Sequence, residues 1–382
     1  MRILHVVPSY IPAWRYGGPI HSVHGLCKAL AARGHTVDVA TTNVDGDGNS
    51  DVPLARPVDL EGVRVHYFPS TRLRRLYYSP GMRTFMAASM GTWDIVHTHS
   101  VFLWPTTSAA RLARRHHKPY VLSPRGMLVR DLIQRRSPWL KRGWIGLFER
   151  RNVAEAAAVH VTSAVEAQEM LAMAFRPRSI IDIPNGFDLP IETVPPDRNP
   201  ASSAPYALFL GRISWKKGLD RLMDALPLAP GVRVVVAGND DEDYWPKMRA
   251  KIAALALGDR VTYKGFVEGD AKQELLGGAA FLVLPSYSEN FGNVVLEAMA
   301  MGVPVIVTPE VGLSGSVSST ESGIVCAGEP AILAEAMTRL ANDSVLRSRL
   351  AVNARRTAAS YSWANVAERM EAAYSRLVAA AT

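Results

Sequence analysis

Two short stretches hold most of the residues suited to chemistry. The first is 281–307, FLVLPSYSENFGNVVLEAMAMGVPVIV. It reads as a strand ending at Pro285, a loop carrying Glu289, and a helix opened by Phe291-Gly292-Asn293 and stopped at Gly302. Open α/β sheets gather ligands at the carboxyl ends of their strands, where such a loop sits. The start of the helix offers unpaired N–H groups and about half a positive charge to an anion or a sugar hydroxyl. Glu297 stands inside an otherwise apolar run, Val294-Val295-Leu296 and Ala298-Met299-Ala300-Met301. A carboxylate there is costly unless something donates hydrogen bonds to it, and a ribose diol would do so. A solvated Glu289 and a Glu297 paired with a neighbouring Lys or Arg form the plainer alternative. The residues alone leave both open.

The second stretch is 208–218, LFLGRISWKKG, which places Arg212, Lys216 and Lys217 at a strand-to-helix junction. Arg supplies a planar fork and Lys a compact point charge, a combination suited to a pyrophosphate. Each charge-assisted contact of this kind contributes about 1.5–3 kcal/mol. A solvated basic turn would carry the same residues.

Positioning such groups needs a scaffold, and the rest of the chain reads as one. At 382 residues it is long enough for two domains with separate cores. Short apolar runs at 3–7, 36–40, 63–68, 94–98, 120–123, 158–162 and 180–183 alternate with helix-length stretches. That alternation predicts βαβ units and a parallel sheet. It pauses at 187–204, a segment with four prolines that reads as a linker. It then restarts with strands expected at 206–210, 233–237, 260–263, 280–284, 303–307 and 323–326. The expected fold class is α/β, with two Rossmann-like doubly wound domains facing a cleft, one over 1–186 and one over 205–362. A last helical stretch, 363–382, suits either domain, and packing back on the first is one of its options.

Taken in order, these motifs resemble a known family. The segment SENFGNVVLEAMAMGVPVI, with Glu289 and Glu297 separated by seven residues, resembles the signature of the retaining, nucleotide-sugar-dependent glycosyltransferases of GT-B fold, family 4 (glycosyltransferase group 1). Tyr16-Gly17-Gly18 followed by a helix and Arg33-Gly34-His35 is similar to the family's opening. Asp94-Ile95-Val96-His97-Thr98-His99 and Pro184-Asn185-Gly186-Phe187-Asp188 are similar to its middle, and Gly211-Arg212 with Lys217-Gly218 to its phosphate site. The resemblance implies that Arg212 and Lys217 hold the donor diphosphate and stabilise the departing nucleoside diphosphate. It further implies Glu297 on the ribose hydroxyls, Glu289 on hydroxyls of the transferred sugar, and the backbone of Phe291, Gly292 and Asn293 around sugar and phosphate. Gly17 and Gly18 would let the backbone approach the same phosphates. His99 would sit on the acceptor side near the transferred sugar, and the base would stack near Phe266.

The same resemblance implies a nucleoside-diphosphate sugar as donor and retention at the anomeric carbon, with the leaving phosphate helping to deprotonate the acceptor. Such a reaction needs no metal, no cofactor and no protein nucleophile; it rests on positioning and on stabilising separated charge. A glycan or a polyprenyl-diphosphate-linked acceptor in bacterial exopolysaccharide or lipopolysaccharide assembly is the expected partner. Three other readings compete. A glycosidase would use two carboxylates but not the Arg212/Lys217 site. A nicotinamide-dependent dehydrogenase would want G-x-G-x-x-G after the first strand, where Val6-Val7-Pro8-Ser9-Tyr10 stands instead. An inactive nucleotide-sugar sensor would share the fold, and the intact Arg212, Lys217, Glu289 and Glu297 argue against it.

Some groups invite a metal reading and do not sustain it. Asp240-Asp241-Glu242-Asp243 is expected to be a solvated turn, and His97 a buried, hydrogen-bonded strand residue; His116 and His117 end a basic helix. A complete ligand set is not visible. Two cysteines, Cys27 and Cys326, form no disulfide framework and fit a reducing cytoplasm. No apolar run reaches the roughly 18–20 residues of a membrane span, and the opening MRILHVVPSYIP does not read as a secretory signal.

Charge is unevenly spread. Residues 1–185 hold 24 Lys+Arg against 13 Asp+Glu, and 186–382 hold 19 against 22. Much of the excess lies in 72–78, RLRRLYY, and in 135–151, RRSPWLKRGWIGLFERR. Cations interleaved with exposed aromatics suit an anionic membrane surface, so peripheral contact at the inner face of the plasma membrane is expected. Trp144 and Phe148 packed into the core would be the alternative. Nucleic acid is not expected as a partner, since no recognised binding motif accompanies these residues. Finally, Ser123-Pro124-Arg125-Gly126-Met127-Leu128 resembles a segment of family members that build bacterial surface polysaccharides. Arg125 there would meet an acceptor phosphate or carboxylate, or else bridge the two domains.

Overall fold

The computed structural model describes the chain apart from Gly17, Ala55, residues 136–137, residues 189–204, Asp241 and Thr382. The expected linker therefore falls almost wholly outside the described residues. The chain divides into two compact units, Met1–Gly186 with Trp363–Thr382, and Phe187–Ser362.

Beside a small antiparallel hairpin of Val44–Asp45 with Gly48–Asn49, the first unit has the strands β1 (Arg2–Ser9), β2 (Thr36–Thr42), β3 (Val58–Leu60), β4 (Val63–Phe68), β5 (Ile95–His99), β6 (Tyr120–Ser123), β7 (Ala158–Val161) and β8 (Ile180–Asp182). They form one sheet in the order β8-β7-β6-β5-β1-β2-β4-β3. All neighbours are parallel except β3 and β4. The central strands are buried along their length because helices cover both faces, which is why they read as unbroken apolar runs rather than alternating ones. The antiparallel edge strand β3 was not anticipated: three residues with partial exposure carry no periodic signal.

Three helices of this unit matter below. Helix α1 (Gly18–Ala32) buries Ile20, Val23, Leu26, Cys27 and Leu30. Helix α2 is Trp104–Arg115. Helix α3 runs over 138–155 as Pro138–Trp144, a π-turn at Ile145–Glu149, and Arg150–Glu155.

The second unit contains β9 (Ala207–Leu210), β10 (Val234–Ala237), β11 (Val261–Tyr263), β12 (Phe281–Leu284), β13 (Val305–Val307) and β14 (Gly323–Val325). Their order is β11-β10-β9-β12-β13-β14, wholly parallel. That is the doubly wound 3-2-1-4-5-6 order, whose direction reverses between β9 and β12. Helix α4 (Leu219–Ala225) follows β9 and helix α5 (Asn293–Ala300) follows β12. The two ends of the unit meet: the Phe187 N–H donates to the Tyr361 carbonyl at 2.8 Å.

Past Ser362 the chain returns to the first unit as α6 (Trp363–Ala379), which buries Val366, Met370 and Tyr374 against that unit's core. Burial of each such side chain stabilises by roughly 1.5–3 kcal/mol. Close approach is the condition: a methyl group at Gly25 would lie 2.2 Å from the Trp363 indole.

Candidate active site

The second unit brings Lys217 and Glu289 together at the carboxyl ends of β9 and β12, where the strand order reverses. After β9 the chain makes a short turn, Trp215–Lys217, and enters α4 through Gly218 at φ 69°. A methyl group at Gly218 would stand 1.9 Å from the Pro285 carbonyl oxygen, so only glycine lets the two loops touch. The Tyr287 N–H donates to the Lys216 carbonyl at 2.7 Å. From α4, the Arg221 guanidinium lies 3.7 Å from the centre of the Tyr287 ring and donates to the carbonyls of Pro285 and Ser286 at 3.3 Å. Tyr287 in turn donates its hydroxyl to Asp220 at 3.0 Å.

The loop so fixed presents Glu289 to the Lys217 ammonium in an ion pair, both side chains less than one-fifth exposed. The Glu289 backbone is tied on both sides to the loop after β13: its N–H donates to the Glu310 carbonyl at 3.1 Å, and its carbonyl accepts from Gly312 at 2.9 Å. Sequence reasoning found Lys217 and Glu289 but missed Arg221, Tyr287 and Asp220, the residues that hold their loops in register.

The remaining expected donor residues fall as follows. Arg212 is exposed, directly after Gly211 at the end of β9. The Phe291 side chain is buried in the core, 3% exposed, so that only its backbone is available to a ligand. Gly292 enters the helix at φ 97° and Asn293 is the first residue of α5. Phe266 is 63% exposed on the loop after β11. Glu297 forms an ion pair with Lys272 at 2.7 Å, the plainer of the two readings open to it. Gly18 begins α1 in the first unit, and Gly17 lies outside the described residues.

The first unit brings His99 and Arg125 together inside a buried polar network. Arg125 donates to His99 Nδ1 at 3.1 Å and to Asn185 Oδ1 at 2.9 Å. A guanidinium can only donate, so His99 Nδ1 must accept and its proton is on Nε2. That N–H points at His5 Nδ1, 2.9 Å away. A second chain fixes its own tautomers. His160 Nε2 donates to the Ile183 carbonyl at 2.8 Å, leaving its Nδ1 to accept from the Ser123 hydroxyl at 2.8 Å. Ser123 accepts from His97 Nε2 at 2.8 Å, and His97 Nδ1 accepts from the Tyr374 hydroxyl at 2.6 Å.

Burial holds all four rings neutral. Loss of hydration, with Arg125 as the second cause, pulls His5 down to about 3 and His99 well below its usual value. Burial, then Arg125, takes His160 to about 3, and burial followed by the neighbouring rings depresses His97. Nitrogens of His5, His97 and His99 come within 4.8 Å of one another. They face a guanidinium, and both nitrogens of His97 are already engaged. The donor set is that of a hydrogen-bonded network. His97 is thus buried and hydrogen-bonded, as its strand position predicted; the links through His5, Ser123, His160 and Tyr374 were missed. Histidines at inward positions of apolar strands, LHV and VHV, were the available signal.

Other expectations resolve as structure. Asp240 accepts from the N–H groups of Tyr244 (2.7 Å) and Trp245 (2.9 Å), holding the start of the helix Trp245–Ala254. In the basic segment 72–78, Arg72, Leu73 and Arg75 are exposed, whereas two other side chains are committed to neighbours. Tyr78 packs edge-on to Trp104 at 4.9 Å and Arg74 donates to Asn49 at 2.7 Å. Trp144 packs partly against the core, and Phe148 stays 38% exposed. Arg125 is committed to His99 and Asn185, so the expected contact with an acceptor would compete with these bonds.

Comparison with known proteins places this architecture. The family described as glycosyl transferases group 1 matches residues 191–357, and the glycosyl transferase 4-like domain matches residues 17–186. A D-inositol 3-phosphate glycosyltransferase of Nocardia farcinica is 30% identical over 75% of this chain and 67% of its own length. Among solved structures, sucrose-phosphate synthase from Thermosynechococcus elongatus superposes with a TM-score of 0.76 at 22% identity, over the whole of both chains. HepE from Anabaena, crystallised with UDP and glucose, superposes with a TM-score of 0.75 at 20% identity, over 98% of this chain and 100% of that one. Two doubly wound units, each matched by its own glycosyltransferase domain, place the chain among the group 1 glycosyltransferases of GT-B fold.

Proposed function

We propose that the chain transfers a glycosyl group from a nucleoside-diphosphate sugar to a glycan or a polyprenyl-diphosphate-linked acceptor, with retention at the anomeric carbon. The observation that carries this reading is the Lys217–Glu289 pair beside the start of α5, at the strand-order reversal of the second unit. Lys217 and Arg212 would hold the diphosphate and offset the charge that builds as it leaves; the N–H groups of Gly292 and Asn293 would add the helix dipole to the same end. Glu289, released from Lys217 to the sugar hydroxyls, would orient the ring. Glu297 would exchange Lys272 for the ribose diol. The first unit would serve the acceptor, where the neutral His99 would have to give up its bond to Arg125 or His5 to reach a hydroxyl and would act as neither acid nor base. No metal or further cofactor enters this scheme.

The UDP complex of HepE and the sugar donors used by the family motivate a donor panel. The test is turnover of UDP-, GDP- and ADP-sugars with lipid-diphosphate-linked and free glycan acceptors, and NMR of the product's anomeric proton. Retained configuration with one donor supports the proposal. An inverted product rejects the retaining mechanism, and nucleotide-sugar binding without turnover on any acceptor favours a sensor.

A further inference from the structure

Helix α3 carries an apolar stripe that the fold leaves uncovered. Leu140, Leu147, Phe148 and Arg151 recur at helical spacing along 138–155, while Trp144 between them turns partly into the core. Leu140 is 78% and Leu147 73% exposed, and beside them Trp139 is 79% exposed with the Arg142 guanidinium 5.5 Å from its ring. The helix is anchored from its other side. Buried Glu149 accepts from the Phe102 N–H at 2.8 Å, Trp144 Nε1 at 2.9 Å and Asn152 Nδ2 at 3.2 Å. The π-turn at Ile145–Glu149 widens the helix at that anchor, a local distortion that often accompanies function.

Against the stripe lies a cavity of about 410 Å³ lined by Arg111, Arg114 and Arg115 of α2 with Leu147, Phe148 and Arg151 of α3. Glu155 pairs with Arg114 and Arg151, each at 3.0 Å. Arg111 and Arg115 are exposed, and among the described residues no carboxylate lies within ion-pair distance of either. The local balance is therefore strongly positive, and none of this was legible from 135–151 alone, since α2 supplies three of the arginines. An acidic protein partner would match the charge. The stripe, however, alternates cations with leucine and aromatic side chains along one helix, the pattern of a headgroup boundary where phosphates meet acyl chains. No helix among the described residues is long and apolar enough to cross a membrane.

We propose that this face of the first unit docks on an anionic lipid bilayer. Leu140, Leu147 and Phe148 enter the headgroup–acyl boundary, and the cavity of Arg111 and Arg115 holds a lipid phosphate. The surface lies on the first unit, includes none of the expected donor residues and does not depend on which sugar is transferred.

The test is flotation of the full chain with vesicles of phosphatidylcholine alone or mixed with phosphatidylglycerol, with the tryptophan emission that is lost in Trp139→Phe as a second readout. The chain should float with the mixed vesicles only, with a blue shift of emission that Trp139→Phe removes. Arg111→Gln with Arg115→Gln should weaken binding about 30-fold, from about 1 kcal/mol per cation at an anionic surface. Leu147→Ser with Phe148→Ser should abolish flotation while circular dichroism and binding of the nucleoside diphosphate that the full chain takes up stay unchanged, which separates this surface from the donor site and from misfolding. Absence of binding at low salt would overturn the proposal, as would undiminished flotation of both double variants. Glycerol phosphate protecting the cavity without any vesicle binding would do the same. A change of oligomeric state in Leu147→Ser with Phe148→Ser, with flotation intact, would assign the face to protein contact instead.

Discussion

Mild acid should unfold the first unit, through its histidines. His5, His97, His99 and His160 are buried as neutral rings. Their pKa values lie well below the 6.5 or so at which the same residues titrate in the unfolded chain. Above that pH neither state binds protons at these rings, and their contribution is intact. As pH falls below about 6.5 the unfolded chain takes up four protons that the native fold refuses, so stability declines from there down towards 3. At pH 5.5 each ring costs a little over 1 kcal/mol, and the four together on the order of 6 kcal/mol. Glu149 and Glu166 act in the opposite sense: burial raises both, so protonation of the native state recovers part of the loss. Six kcal/mol is comparable with the whole stability of an ordinary domain, about 5–15 kcal/mol. For a unit of about 200 residues it corresponds to a fall in Tm of roughly 12–24 °C. Scanning calorimetry at pH 7.5 and 5.5, in buffers of different ionisation enthalpy, reads both the Tm and the protons taken up on unfolding. The expected uptake at pH 5.5 is about three protons. A fall of less than about 3 °C with uptake below one proton would refute the neutral network.

The other predictions concern single positions. Tyr374→Phe leaves His97 Nδ1 a buried acceptor without its donor, which should cost about 1–3 kcal/mol; an unchanged Tm would contradict the assigned tautomers. Lys217→Ala should weaken nucleoside diphosphate binding roughly 10–150-fold in a calorimetric titration, from the loss of one charge-assisted contact. Unaltered affinity would remove Lys217 from the phosphate site. Gly218→Ala combines a left-handed backbone, about 1–2 kcal/mol, with a clash at the Pro285 carbonyl. It should lower nucleotide affinity at least tenfold while circular dichroism stays native, and full affinity would show that loop contact to be dispensable.

The sheets were the most legible part of the sequence because a strand covered on both faces must be apolar throughout, as 207–210 and 281–284 are. Strand β3 was not, since a short edge strand is chosen by its partner β4 rather than by its own pattern. At the site, Lys217, Glu289 and Arg212 were legible because charged residues at strand ends stand out against an apolar run. Their present partners were only half legible. Glu297 beside Lys272 is a contact between two helices, and Glu289 on Lys217 joins loops 72 residues apart. Arg221 and Tyr287 resembled ordinary surface residues, because holding a loop through a ring face and two carbonyls leaves no spacing rule. Tyr374 lies 277 residues from His97, and only the return of α6 to the first unit brings them together.

The central claim is that the second unit holds a nucleoside diphosphate sugar on Arg212 and Lys217. A thermal-shift screen of the full chain against UDP, GDP, ADP, CMP and NAD, repeated with Arg212→Ala, tests it most directly. Ligand that binds only the folded state raises Tm by mass action, about 2.7 kcal/mol at a hundredfold excess over Kd. The account predicts a shift with one nucleoside diphosphate that Arg212→Ala abolishes. No shift with any nucleoside diphosphate, a shift with NAD alone, or a shift that survives Arg212→Ala would contradict it.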